Sequence, residues 1–131
     1  MSRRRSAVVL TALVAAVALA CGGAYLIIED RARERSDQMI REYLNALTRG
    51  EYGAAYGLLC DNEDVDRAWF ESKQGRDPIR SFVVERSGDW GNLMDGSGRG
   101  YSVRVTLASG ISTVEYLTTK YASDGDSCVT H

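Results

Sequence analysis

One histidine, one proline and three cysteines are all that the 131-residue chain holds of the side chains that most often bind metals, stop helices and form crosslinks. The lone histidine, His131, is the last residue, and two cysteines away from it do not make a zinc site. No Cys-x-x-Cys pair occurs, which argues against a redox-active dithiol. Gly96-Ser97-Gly98-Arg99-Gly100 lacks the Gly-Lys-Ser/Thr ending of a phosphate loop and leads into a strand pattern rather than a helix. Glu63, Asp64 and Asp66 lack the Asp-x-Asp-x-Asp-Gly loop and terminal glutamate of a calcium site, so they read as acids in a first helical turn. Internal repeats are absent. Neither a cofactor nor a metal is expected.

What the chain does have is an uncharged apolar run from Ser6 to Ile28, preceded by Arg3, Arg4 and Arg5. As a helix such a run rises roughly 33 Å, enough for a hydrocarbon core of about 30 Å. The arginine triplet favours a cytoplasmic N-terminus and sends the remainder outward. The expected plan is a cytoplasmic tail (1–5), a transmembrane signal anchor (6–28), a charged stalk (29–36) and an extracytoplasmic α+β domain (37–131). Ala7, Leu10, Leu13, Leu19, Leu26 and Ile28 represent the anchor. Two alternatives stay open: a lipoprotein acylated at Cys21 after Ala18-Leu19-Ala20, and a cleaved secretory signal. Cleavage suits an apolar region of 7–15 residues better than one this long. In a lipoprotein the chain would turn polar after the cysteine, whereas here it continues through Ala24-Tyr25-Leu26-Ile27-Ile28.

Beyond Ile28 the chain carries 13 basic and 18 acidic residues, a net charge of −5. That balance offers no electrostatic footprint for nucleic acid, nor a basic face for anionic lipid. A domain of this size has little stability to spare, and an outer compartment permits a disulfide. Cys60 and Cys128 are the pair available for it. A bridge closing so long a loop is worth about 4 kcal/mol on the chain-entropy model.

Ser36 or Asp37 is expected to cap a helix in which Ile40, Tyr43, Leu44 and Leu47 share a face, closed by Arg49-Gly50. Tyr52, Ala55, Tyr56 and Leu59 repeat the spacing in a second helix ending at Cys60. Asp61 or Asn62 is expected to cap a third, with Val65, Ala68 and Trp69 on its buried side, stopped by Asp77-Pro78. Ile79 to Glu85 is rich in strand formers, and the glycines from Gly88 to Gly100 suggest a long loop. Tyr101, Val103, Val105 and Leu107 then alternate with polar residues, the cleanest strand pattern in the chain. Ser109-Gly110 turns into a partner strand over 111–121. Ser123-Asp124-Gly125-Asp126 makes a further turn before a short last strand. The fold class is α+β, helices packed on one face of an antiparallel sheet.

The stretch from Tyr43 to Cys60, an Arg-Gly helix end followed by an Ala-Ala-x-x-x-Leu helix, resembles small actinobacterial membrane-anchored domains of the nuclear-transport-factor-like (cystatin-like) superfamily. The likeness covers residues 37–131. It implies a cone in which helices and a curved sheet enclose a pocket, and its members range from enzymes to scaffolds. Some carry cysteines where Cys60 and Cys128 stand.

Catalysis in such folds resembles proton abstraction by a pocket carboxylate helped by tyrosine. Tyr43, Tyr56, Tyr101, Tyr116, Glu85 and Glu115 are the candidates, each with an ordinary explanation as a core or surface residue. The expectation is therefore a non-catalytic, membrane-anchored accessory or protein-binding domain, with another envelope protein as partner and Trp90 as a contact. A carrier of a lipid or apolar ligand is the first alternative, a pocket-carboxylate isomerase-like enzyme the second.

Overall fold

A computed structural model describes residues 2–60, 64–92, 96–121 and 127–130. The chain divides into two units, 1–33 and 34–131. Helix α1 runs over Ser2–Thr48 without interruption. No cap intervenes at Ser36 or Asp37, because residues 24–49 contain neither glycine nor proline and are rich in good helix formers. In the first unit the described large apolar side chains are exposed, among them Leu10, Leu13, Leu19 and Leu26. Among the described residues no helix is long and apolar enough to cross a membrane.

In the second unit α1 ends as its sequence predicts. Gly50, at φ 73°, donates to the Leu47 carbonyl at 3.2 Å, and Glu51 N–H reaches the Ala46 carbonyl at 2.9 Å. This is the Schellman arrangement, which satisfies carbonyls left open at a helix end. Two short helices follow, α2 (Tyr52–Gly57) and α3 (Arg67–Arg76). The cap of α3 is Asp66, whose carboxylate accepts from Trp69 N–H at 3.2 Å. The caps expected at Asp61 or Asn62 lie outside the described residues, as do Glu63, the Ser123–Asp126 turn and His131. Phe70 is the buried residue of α3, whereas Trp69 is 55% exposed and Ala68 is also exposed. Phe70 rather than Trp69 meets Tyr56, ring centroids 5.7 Å apart.

Four antiparallel strands form one sheet in sequence order: β1 (Ile79–Asn92), β2 (Gly96–Leu107), β3 (Ser112–Tyr121) and β4 (Ser127–Thr130). The expected glycine loop is mostly strand. Gly88 pairs with Gly100, Asp89 with Arg99 and Trp90 with Gly98. Glycine weakens a strand but keeps its backbone donors, so a hairpin already in register continues through it. The β2–β3 turn is held from outside, since the Asp77 carboxylate accepts from Ser109 N–H at 2.9 Å and from its hydroxyl at 2.6 Å.

Alternation decides the layers. Tyr101, Val103, Val105, Leu117 and Val129 point to one face and are buried with Ile40, Tyr43, Leu44 and Leu47 of α1, Ala55 of α2 and Phe70 of α3. The helices therefore cover one face of the sheet, as the α+β expectation had it. Cys60 and Cys128 are bonded, with Cα atoms 4.8 Å apart. Beside the bond, Cys60 N–H donates to the Val129 carbonyl at 2.9 Å and Val129 N–H to the Leu58 carbonyl at 2.8 Å. The end of the helical layer is thus joined to β4 both covalently and by a parallel bridge, Leu59 to Val129.

Candidate functional site

Between α1 and the far end of the sheet the buried apolar core gives way to polar side chains. The register shift between Val84 and Arg86 changes the parity of β1, so Ser87 and Asp89 fall opposite Tyr101 and Arg99 on the helix side. Arg99 donates through Nε to Asp37 at 3.0 Å, through Nη1 to Asp89 at 2.9 Å and through Nη2 to Ser87 at 2.9 Å. The Tyr101 hydroxyl donates to the same Asp37 oxygen at 2.6 Å. Next to them Thr119 donates to Ser36, both fully buried, at 3.0 Å.

Burial pulls the Arg99 pKa down, but hydrogen bonds to Asp89 and Asp37 and the Asp37 charge raise it on balance. Tyr101 is held well above the ordinary phenol range, by burial first and then by its bond to Asp37. With all three guanidinium nitrogens engaged and the phenol fixed as a donor, this cluster has the chemistry of a brace rather than of a base.

The six candidate catalytic residues do not gather at one site, although Tyr43 and Glu115 are close enough to interact. Tyr43 is buried, its pKa raised by burial and then by the charge of Glu115, which shares the inner face through its pairing with Val103. Tyr56 donates to the Val65 carbonyl at 2.5 Å. Glu85, at the β1 register shift, accepts from Arg104 at 2.5 Å. Tyr116 stands on the opposite face of the sheet, 74% exposed. Among the described residues no group of acids, cysteines or histidines is placed to hold a metal.

That opposite face carries an open depression of about 330 Å³, bordered by Arg86, Gly88, Gly100, Ser102, Tyr116 and Thr118. Arg86, Ser102 and Tyr116 lie in one cross-strand row, and Gly88, Gly100 and Thr118 in the next. The first row is a wall, and the second is a floor without side chains on β1 and β2. Thr118 is occupied by a hydrogen bond with Thr130. Trp90 occupies the row beyond, paired with Gly98 and half-buried instead of projecting from a loop. A Cβ at Gly98 would sit 2.9 Å from Trp90 Cε2, so the indole covers that glycine.

Leu10, Leu13, Leu19 and Leu26 lie on the exposed part of α1; Ala7, Ile28 and Arg3 to Arg5 also belong to α1, but their side chains are outside the described set. Sequence alternation identified Ser102 as outward, but Arg86, Gly88 and Gly100 required the register. No family model, curated protein or solved structure matches the chain.

Proposed function

We propose that the chain is a single-pass membrane protein whose disulfide-braced α+β domain acts outside the membrane as a non-catalytic binding domain of the cystatin-like kind. The observation that carries this reading is the Cys60–Cys128 bond, because such bonds persist in oxidising, extracytoplasmic compartments. The apolar run 6–28 behind Arg3, Arg4 and Arg5 supports an anchor with that orientation.

Binding is assigned to the surface rather than to a cone interior. The space between α1 and the sheet is filled by Ile40, Tyr43, Leu44, Leu47, Val103, Val105 and Leu117, all at most 2% exposed. A carrier of an apolar molecule needs that volume empty. Tyr101 donates to an Asp37 carboxylate already held by Arg99, an arrangement that favours a structural brace over proton abstraction.

Protease added to sealed, wall-free cells tests the orientation. The expected result is loss of everything after Ile28 with the preceding segment left in the membrane. Full protection of the domain until the cells are lysed would overturn the proposal.

A further inference from the structure

Gly88 and Gly100 face each other across β1 and β2 in the middle of a ladder, and nothing in the fold requires glycine at either position. Neither has a positive φ. A Cβ built on Gly88 meets nothing within 4 Å, and one on Gly100 meets only the Gly88 carbonyl oxygen at 3.9 Å, an ordinary contact. Glycine inside a strand weakens it, and where packing does not demand it, it marks a place that something else approaches closely. Gly98 is the contrast, for there a Cβ would lie 1.7 Å from the Thr119 carbonyl oxygen.

The walls describe the visitor. Tyr116 offers an exposed ring beside the glycine floor, and Arg86 a cation at the β1 end of the same row. Among the described residues neither the Arg86 guanidinium nor the Ser102 hydroxyl has a hydrogen-bond or ion-pair partner. An extended peptide finds little here. The floor lies on the face of β1, β2 and β3, where the ladder bonds run between the strands, so an added strand would lie along the outer edge of β1 and not over the floor. A pyranose ring is matched instead, with a flat C–H face for the glycines and Tyr116 and equatorial hydroxyls for Ser102. A carboxylate on that ring meets Arg86, whose planar fork suits it. The volume is at the low end for small-ligand clefts, sufficient for one or two sugar units.

We infer that the depression over Gly88 and Gly100 binds an acidic sugar unit of an extracytoplasmic polysaccharide, stacked on Tyr116 and paired with Arg86. The source of the ligand rests on the outward placement proposed above, whereas the chemistry of the site does not.

Titration calorimetry on the purified full chain tests it with three probes: a short oligogalacturonate, a neutral galactose oligomer of equal length and an oligoglutamate peptide. Oligogalacturonate is expected to bind, more weakly as salt rises, with the neutral sugar at least tenfold weaker and the peptide not binding. Arg86→Gln and Tyr116→Ala, both at exposed positions, should each weaken oligogalacturonate at least tenfold. Gly88→Val should abolish binding by filling the floor, and Lys73→Gln, on α3, should leave it unchanged. Absence of sugar binding, equal binding of the neutral oligomer, or wild-type affinity in Arg86→Gln and Tyr116→Ala would overturn the inference. Peptide binding lost in Arg86→Gln would also overturn it, in favour of an acidic protein partner. Because the assay uses purified protein, it fails or succeeds independently of the topology experiment.

Discussion

Arg99 and Asp37 are 62 positions apart in the chain, yet the guanidinium Nε and the carboxylate Oδ1 are 3.0 Å apart, tying α1 to β2. Arg99 is 17% exposed and Asp37 44%. The same carboxylate also accepts from Tyr101, so one acid on the helix anchors two residues of the strand.

Replacing Asp37 with alanine removes both bonds and leaves Asp89 as the remaining carboxylate on Arg99. A hydrogen bond to a charged group is worth ~1.5–3 kcal/mol when shielded, and the half-exposed acid reduces this, so the expected loss is about 1–2 kcal/mol. Urea unfolding of the full chain measures it. Asp37→Asn keeps one acceptor and should fall between alanine and wild type.

Alkaline pH should unfold the domain. Tyr43 and Tyr101 both have folded pKa values raised above the unfolded phenol, so the folded state holds their protons more tightly. Their contribution to stability is complete below the unfolded pKa of about 10 and is lost as pH rises from there toward the folded values. Tyrosinate absorbance should show two tyrosines ionising only together with loss of the circular dichroism signal. Tyr43→Phe and Tyr101→Phe would each remove one late-titrating group.

Gly98 and Gly88 should respond oppositely to alanine. At Gly98 the new methyl collides with the Thr119 backbone, and the β2–β3 ladder must open to admit it. That cost is expected at about 2–3 kcal/mol or more. At Gly88 the space is open, and alanine should leave stability unchanged or raise it by about 0.4–1 kcal/mol through the unfolded state. Parallel thermal melts of the two variants decide the matter.

Much of this architecture is written locally. Tyr101 to Leu107 alternates over a full strand, Arg49-Gly50 ends α1 as the sequence indicates, and Cys60 and Cys128 pair. The departures have one physical root, information held by distant partners. Nothing near Asp37 reveals that it faces Arg99 instead of capping a helix. The glycines from Gly88 to Gly100 have the composition of a loop, and only their opposition across a hairpin makes them strand. The register shift after Val84 decides which residues of β1 line the depression and which join Arg99, and no single-strand pattern encodes it.

The Cys60–Cys128 bond spans 68 positions, and its loss should cost about 4 kcal/mol on the chain-entropy model. It is also the most direct witness to where the domain resides. Acid-quenched cells should be alkylated before and after reduction, and the full chain recovered from the membrane fraction for mass analysis. Cys60 and Cys128 are expected to react only after reduction, linked to each other. Recovery of both as alkylated free thiols before reduction would contradict an oxidising, extracytoplasmic location and the function built on it.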